Sequence, residues 1–106
     1  MKLLTKEVLE RLPALGTTDN LSLDDHVLQV KFFDPYGSWS WFAVEYDPQQ
    51  KLFFGWVNGF EKEWGYFSLE ELESLTFAGM PRIERDLYFA PIKYGEYVKK
   101  TECSSN

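Results

Sequence analysis

Three groups of side chains in the sequence have the types that acid–base chemistry or ion binding requires. The first group is His26, the single histidine, which directly follows Asp24 and Asp25. A carboxylate can orient an imidazole so that the ring acts as a general base. Neighbours along a strand rarely converge, and no serine or cysteine nucleophile is identifiably paired with this trio. We therefore interpret His26 as a surface residue at the entrance to a strand.

The second group is the pair Glu61 and Glu63. On a strand the two residues share a face, and the usual rise separates them by about 6.6 Å. Such a pair could bind a divalent cation or serve as the two carboxylates of a glycosidase, whereas strand alternation around Lys62 explains it as a solvated face. We expect neither catalysis nor a metal here. The sequence also lacks the Gly/Lys pattern of a phosphate-binding loop, so it predicts no cofactor.

The third group is the mixed-charge run "RIERDLYF", residues 82–89. Arg82 and Arg85 could clamp a carboxylate or a phosphate through bidentate hydrogen bonds. Alternatively, they could pair with the adjacent Glu84 and Asp86 and thereby fix the last strand. We favour pairing with these acids, and we keep Arg85 as a candidate for contact with a partner.

Length and composition limit the class of protein that could carry these groups. A chain of 106 residues forms about one domain. We predict a single domain over residues 1–97 and a flexible polar tail over residues 98–106. No run approaches the roughly 20 apolar residues of a membrane span, and charges interrupt the N-terminal leucines, unlike those of a signal peptide. With Cys103 as the only cysteine, we expect a cytoplasmic protein without disulfides or thiolate metal clusters.

The net charge of −6 is concentrated in the middle of the chain. Residues 19–73 contain eleven acids and three lysines, a local balance of −8, whereas each flanking segment carries +1. Binding to nucleic acid requires lysine or arginine to replace the counterions of the phosphates. The charge therefore argues against direct nucleic-acid binding. It favours a basic protein partner, although solubility alone would also explain it.

Hydrophobic patterns and turn residues predict an α+β fold: an antiparallel four- to five-stranded meander sheet, with an N-terminal helix and a second helix before the last strand. Thr5 caps the first helix, while Ser68 and Glu71 begin the second, which Gly79 and Pro81 end. Turn signals include Asp34-Pro35-Tyr36-Gly37 and the hairpin dipeptide Asn58-Gly59. The predicted strands cover residues 26–33, 39–46, 51–57, 60–67 and 86–89.

The two-residue period of a strand assigns these side chains to two faces of the sheet. One face is uniformly apolar and is the expected core; it consists of Leu28, Val30, Phe32, Phe42, Val44, Tyr46, Leu52, Phe54 and Trp56. The other face mixes charges with the large rings of Trp39, Trp41 and Phe53. A helix, a loop or the C-terminal segment would cover these rings in one interpretation, and a partner would cover them in the other. We favour internal cover, with Trp39 and Trp41 as the exceptions.

The ordered segments "KLLT", "RLP", "VKFFDP", "WSWFAVEYD", "LFFGWVNGFEKEWGYFSLEEL" and "IERDLYFAP" resemble a family of small bacterial proteins catalogued as a domain of unknown function. The resemblance covers about residues 2–91. It implies no established reaction, and members of the family often travel with plasmids, phages and other mobile elements. The resembling positions are Trp39, Trp41, Glu45, Gly55, Gly59, Glu61, Glu63, Gly65, Tyr66, Phe67, Glu84, Arg85, Asp86, Tyr88 and Phe89. The segment "AGMPRIERD" and the chain after Pro91 depart from the family pattern.

We therefore predict a small acidic, non-catalytic protein-interaction domain, of the kind that serves a mobile element or inhibits a host or defence factor. The alternative is a domain that binds a small ligand or acts as an enzyme, with a pocket of Glu45, Glu61 and Arg85 beside Trp39 or Trp41. A homodimer through the aromatic second face would also explain the composition. The candidate partner-binding residues are Trp39, Trp41, Glu45, Phe53, Glu61, Glu63 and Arg85.

Overall fold

Short helices and strands alternate along the chain in a computed structural model, which describes residues 2–103. The helices are α1 (Lys6–Arg11), a 3-10 turn (Leu23–Asp25), α2 (Leu69–Ser74) and α3 (Tyr94–Cys103). The strands are β1 (Val27–Leu28), β2 (Val30–Phe33), β3 (Ser40–Asp47), β4 (Leu52–Asn58), β5 (Lys62–Ser68), β6 (Thr76–Phe77), β7 (Met80–Pro81), β8 (Glu84–Arg85) and β9 (Ile92–Lys93). Five strands form an antiparallel sheet in the order β5-β4-β3-β2-β8, which confirms the predicted α+β fold.

The turns of the central meander follow the predicted chemistry. At the β2–β3 turn the Asp34 carboxylate accepts a hydrogen bond from the Tyr36 backbone N–H at 2.9 Å, and Gly37 donates to the Asp34 carbonyl at 3.2 Å. Asp47 accepts from the Gln49 N–H at 3.0 Å in the next turn. Asp at the first position of a turn stabilises it through such bonds, so consecutive strands pair as neighbours.

Both predicted helix starts are confirmed, but the second helix is shorter than predicted. The hydroxyl of Thr5 accepts from Val8 N–H at 3.3 Å, and that of Ser68 accepts from Glu71 N–H at 3.2 Å. Helix α2 ends at Ser74, and residues 76–81 form a separate β6–β7 hairpin. The prediction that this helix runs on to Gly79 was wrong, because Gly79, with φ +80°, forms the turn of the hairpin.

Apolar elements cover both faces of the sheet. The N-terminal segment with α1, α2 and Ile83 covers the face that carries Val30, Phe32, Trp41, Ala43, Tyr46 and Phe53. The C-terminal segment covers the face that carries Leu28, Phe42, Val44, Phe54 and Trp56. A sheet packed between two layers has no solvent-exposed face, and this explains why aromatic side chains are abundant on both faces.

The predicted division of side chains between the two faces was partly wrong. Val30, Phe32 and Tyr46 lie on the face of Trp41 and Phe53 instead of the face of Phe42. Two interruptions of the alternation cause the error. The strand is interrupted at Gln29 between β1 and β2, and a β-bulge between Ala43 and Glu45 shifts the register of β3 against β4. A bulge adds one residue to one strand and so reverses the sides of the residues beyond it.

The C-terminal segment also differs from the prediction. The last strand of the main sheet is β8, Glu84–Arg85, and not residues 86–89. Helix α3 continues to Cys103, so the predicted boundary at residue 97 falls inside a helix, and residues 98–103 are helical; residues 104–106 lie outside the described residues. Tyr94 and Tyr97 share one side of α3 and pack against Trp56 and Phe42, with centroid distances of 4.9 and 5.1 Å. No helix within residues 2–103 is long and apolar enough to cross a membrane.

Candidate binding groove

An ion pair fixes the end of the β6–β7 hairpin against the β2–β3 turn. The Arg82 Nε donates to both carboxylate oxygens of Asp34 at 2.9 Å, and the Arg82 Nη2 lies 2.8 Å from Oδ2. The Asp34 side chain is largely shielded from solvent. The hydrogen bond from Arg82, with the N–H of Tyr36, lowers the pKa of Asp34 below its usual value. The carboxylate is therefore charged at neutral pH, as a bidentate pair requires.

A pair of stacked rings joins the same turn and hairpin at the surface. Tyr36 and Phe77 have centroids 4.3 Å apart and planes inclined by 19°, and more than half of Tyr36 is exposed. The guanidinium of Arg82 lies 5.9 Å from the centroid of the Tyr36 ring. Met80 pairs with Phe77 across the hairpin and is also exposed. The hairpin thus presents apolar side chains to solvent.

Trp39 extends this aromatic surface to the β4–β5 turn. Its ring meets Phe60 edge to face at 5.2 Å, and Phe60 is 94% exposed. A Cβ on Gly59 would lie 2.4 Å from Cζ3 of Trp39, so the ring requires glycine there. Gly59 does not adopt positive φ, and the hairpin interpretation of Asn58-Gly59 therefore misidentified the reason for the glycine. Its function is to let the indole lie across the turn.

A groove opens between these turns and the hairpin. It has a volume of about 350 Å³ and is lined by Asp34, Trp39, Trp41, Leu75, Thr76 and Arg82. We call this cavity, together with the exposed rims formed by Tyr36, Phe60, Phe77 and Met80, the end groove. Its floor is aromatic and its one ion pair is internally neutralised, so the end groove suits an apolar group better than a free ion.

Acidic side chains flank the end groove. Val57 lies opposite both Trp41 on β3 and Glu63 on β5, so the side chain of Glu63 is on the same face of the sheet as Trp41. Glu61 directly follows Phe60, and both carboxylates are exposed. The rim therefore carries negative charge beside apolar surface.

The structure places two of the predicted partner-binding residues in the interior. Phe53 is completely buried among core rings, so its predicted contact with a partner is wrong. Glu45 is 2% exposed and accepts hydrogen bonds from Gly16 N at 2.9 Å, Thr18 N at 2.7 Å and Thr18 Oγ1 at 2.5 Å. Burial alone would raise the pKa of Glu45, but these hydrogen bonds outweigh it and lower the pKa. Glu45 thus anchors the loop after α1 and is not a surface acid.

The remaining predicted residues fall in different places. Trp39 and Trp41 line the end groove, and Trp41 is largely buried as its floor. The guanidinium of Arg85 donates to the carbonyls of Lys2 at 2.8 Å and Leu3 at 3.1 Å, so it holds the N-terminal segment. Arg85 on β8 and Glu63 on β5 lie on opposite edge strands, about 19 Å apart at the usual strand spacing. The structure does not bring Glu45, Glu61 and Arg85 together into a pocket.

Arg82 and Asp86 of the run 82–89 pair with distant partners instead of the predicted neighbours. Arg82 pairs with Asp34, and Asp86 lies 3.8 Å from Lys31. Both partners are about 50 residues away along the chain. Strand β8 runs antiparallel to β2, and this pairing brings them within reach. The local pattern of charges does not identify partners this far away along the chain.

His26 is buried, and its interpretation as a surface residue was wrong. Its ring lies 5.3 Å from Trp64 and 6.1 Å from Phe54, and Nδ1 has no hydrogen-bond partner among the described residues. The backbone explains the burial, because the His26 carbonyl accepts from Tyr94 N–H at 2.8 Å and so lies under the start of α3. Among the residues that the structure describes, no three His, Cys, Asp or Glu side chains are grouped to hold a metal ion.

The described residues define a small α+β protein built on one five-stranded antiparallel sheet, with an aromatic groove at one end. The chain belongs to the family described as protein of unknown function (DUF2958), whose model matches residues 3–104. This match confirms the resemblance to an uncharacterised domain family. Comparison with the curated proteins and with the solved structures found no match.

Proposed function

We propose that this protein is a non-catalytic interaction domain that binds a protein partner through the end groove. One observation carries the proposal: exposed apolar side chains from three separate turns lie at the same end of the sheet. Tyr36 and Phe77 stack on each other, Met80 lies opposite Phe77 in the hairpin, and Phe60 packs edge to face on Trp39 of the groove. Contiguous exposed apolar patches bordered by polar residues are typical of interaction sites.

The residue types also match those of binding interfaces. Tyr, Trp, Phe and Met are enriched at interface cores, and rings make large contacts at low entropic cost. Internal contacts hold the rings of the end groove in position: Phe77 stacks on Tyr36, and Trp39 lies across Gly59. A partner would therefore meet a preformed surface and would not have to order it.

The flanking charge specifies the chemistry of the partner. Glu61 and Glu63 border the aromatic surface, and the wider segment 19–73 has a balance of −8. A partner with an apolar anchor beside lysine or arginine residues complements this surface. A concrete form of the proposal is an accessory protein of a mobile element that covers the basic, nucleic-acid-binding surface of a host or defence factor.

Affinity purification of the tagged protein from its own host, followed by mass spectrometry, tests the proposal. Phe60→Ala and Phe77→Ala remove rings of the end groove. Tyr88→Ala is the matched control, because Tyr88 is 97% exposed and lies outside the groove. Glu61→Lys with Glu63→Lys tests the charge, and Glu10→Lys on the exposed side of α1 is its control.

We expect a stoichiometric protein partner that both groove variants and the charge reversal lose, and that both controls retain. A partner retained by the groove variants would contradict the proposal. Light scattering on the same samples reports self-association. A homodimer dispersed by Phe60→Ala would identify the occupant as a second copy and would contradict a basic partner.

A further inference from the structure

We infer that the outer edge of β5 is a second binding element, which takes an extended segment of a partner as a sixth strand of the sheet. The segment that fits this edge carries lysine or arginine residues. The inference rests on the proposed function in so far as the partner is a protein, and it shares only the flanking acids Glu61 and Glu63 with the end groove. It uses the backbone of β5 instead of the rings of the end groove.

The edge is long, regular and open. β5 is the terminal strand of the sheet, and its register with β4 runs without a shift from Leu52–Ser68 to Asn58–Lys62. Within the described residues 2–103, residues 62–67 make no backbone hydrogen bond outside the ladder with β4. The strand contains neither proline nor a bulge, which are the usual means of blunting an edge. Its outward N–H and C=O groups therefore form a template for another strand.

The opposite edge of the sheet shows how this protein protects an edge. β8 has only two residues, and the side chain of one of them, Arg85, bonds to the carbonyls of Lys2 and Leu3. A short edge strand bounded by other chain segments offers little room for pairing. The contrast between the two edges indicates that the exposure of β5 is not a general property of the sheet.

Gly65, at the centre of β5, has no internal reason to lack a side chain. A Cβ at Gly65 would have no atom of the described part of the chain within 4 Å, whereas one at its partner Gly55 would lie 1.8 Å from the carbonyl oxygen of Phe42. Glycine inside a strand weakens it and often marks a place where another backbone approaches closely. The next residue, Tyr66, is 66% exposed and packs against Phe54 at 5.3 Å, which leaves ring surface for a cross-strand neighbour.

Charge selects the occupant of this edge. Glu61 and Glu63 stand at the beginning of β5, and Lys62 is the only base on the strand itself. Glu70 and Glu71 follow the end of the strand, where Glu70 lies 3.7 Å from Lys51. In a second copy paired antiparallel about Gly65, Lys62 lies opposite Ser68 and Glu63 lies opposite Phe67. A second copy therefore brings no complementary charge to Glu63. A segment of another protein with basic side chains meets complementary charge from Glu61 and Glu63 at the beginning of the strand and from Glu71 beyond its end.

Amide hydrogen exchange measured by NMR on the uniformly labelled full chain tests this inference. The probe is a capped peptide of alternating lysine and valine. One control alternates glutamate and valine, with the opposite charge. The second control alternates lysine and proline, which keeps the charge but cannot form a strand ladder. With the lysine–valine peptide we expect about tenfold slower exchange at alternate amides of residues 62–68, and no slowing with either control.

Two results would overturn the inference: unchanged exchange across residues 62–68, or equal slowing with the lysine–proline peptide. Glu63→Lys should weaken the effect, whereas Phe77→Ala in the end groove should leave it intact. If the groove variants lose the host partner while β5 stays unprotected, only the edge inference fails. If the peptide protects β5 from exchange while the groove variants still bind the host partner as the wild type does, only the groove proposal fails.

Discussion

The ring of Tyr36 lies almost parallel to that of Phe77, with centroids 4.3 Å apart, and so joins the β2–β3 turn to the β6–β7 hairpin. The two strands of this hairpin have two residues each, too few to hold their place alone. The stack and the Asp34–Arg82 ion pair therefore position one wall of the end groove. The dependence of the hairpin's position on these two contacts can be measured.

Asp34→Asn should loosen the hairpin while the sheet stays intact. The substitution removes the charge that Arg82 contacts at 2.8–2.9 Å, although the amide can still accept from Tyr36 N–H. We expect several-fold faster amide exchange in residues 76–81 and unchanged exchange in β3 and β4. Asp47→Asn, in the equivalent turn without an arginine, is the control. Unchanged exchange in the hairpin would show that the ion pair does not position it.

Glu45→Gln should destabilise the whole domain by about 2 kcal/mol, because a buried carboxylate that accepts three hydrogen bonds becomes a neutral amide with an NH₂ group facing donors. Denaturant unfolding near neutral pH measures the loss.

The pH dependence of the same variant has a defined sign. The folded-state pKa of Glu45 lies below its ordinary 4.5, so its contribution is complete above that value and disappears as pH falls through the folded-state pKa. The difference between wild type and Glu45→Gln should therefore shrink in acid. A difference that stays constant from neutral pH into acid would contradict this account of the carboxylate.

Gly55→Ala and Gly65→Ala should differ strongly in their effect on stability, although the two residues pair across β4 and β5. A Cβ at Gly55 would meet the Phe42 carbonyl oxygen at 1.8 Å, and we expect a loss of about 3 kcal/mol as the strands are forced apart. At Gly65 the space is open, so alanine should change the free energy of unfolding by no more than about 0.5 kcal/mol. Similar losses in the two variants would contradict the close approach of β3 to β4 at Gly55.

His26→Phe should stabilise the protein by about 1 kcal/mol, because it removes a buried ring nitrogen that has no hydrogen-bond partner within residues 2–103 from a pocket lined by Phe54 and Trp64. His26→Ala, which removes the ring and leaves a cavity, should instead destabilise it. Thermal unfolding of the three proteins distinguishes the effects. A loss of stability in His26→Phe would mean that the imidazole nitrogen makes a contact that stabilises the fold.

Much of the fold could be predicted because its signals are local. Asp34 and Asp47 define turns, Thr5 and Ser68 cap helices, and each signal acts within three residues of its own position. The distribution of rings between the two faces depends on the interruption at Gln29 and on the bulge after Ala43, and neither leaves a mark on the hydrophobic pattern. The sequence does not predict helix α3, because Tyr94 and Tyr97 are too few apolar residues to indicate the buried side of a helix.

The end groove could be predicted only in part. Trp39 and Trp41 stand out because three of the four tryptophans lie close together in the sequence. The other components come from a turn at Phe60 and a hairpin at Phe77, where the sequence predicts the end of a helix. Gly59 stands out in the sequence as a turn residue, whereas the Trp39 ring explains the glycine and the turn conformation does not. Such a contact depends on tertiary structure and cannot be derived from spacing.

Photo-crosslinking in the host tests the central claim most directly. Phe60 and Tyr88 are replaced, one at a time, by p-benzoylphenylalanine; both positions are more than 90% exposed, and only Phe60 belongs to the end groove. The account predicts a discrete crosslinked protein from position 60 and none from position 88. Crosslinks from position 88 alone, or from neither position, would contradict a partner bound at the end groove.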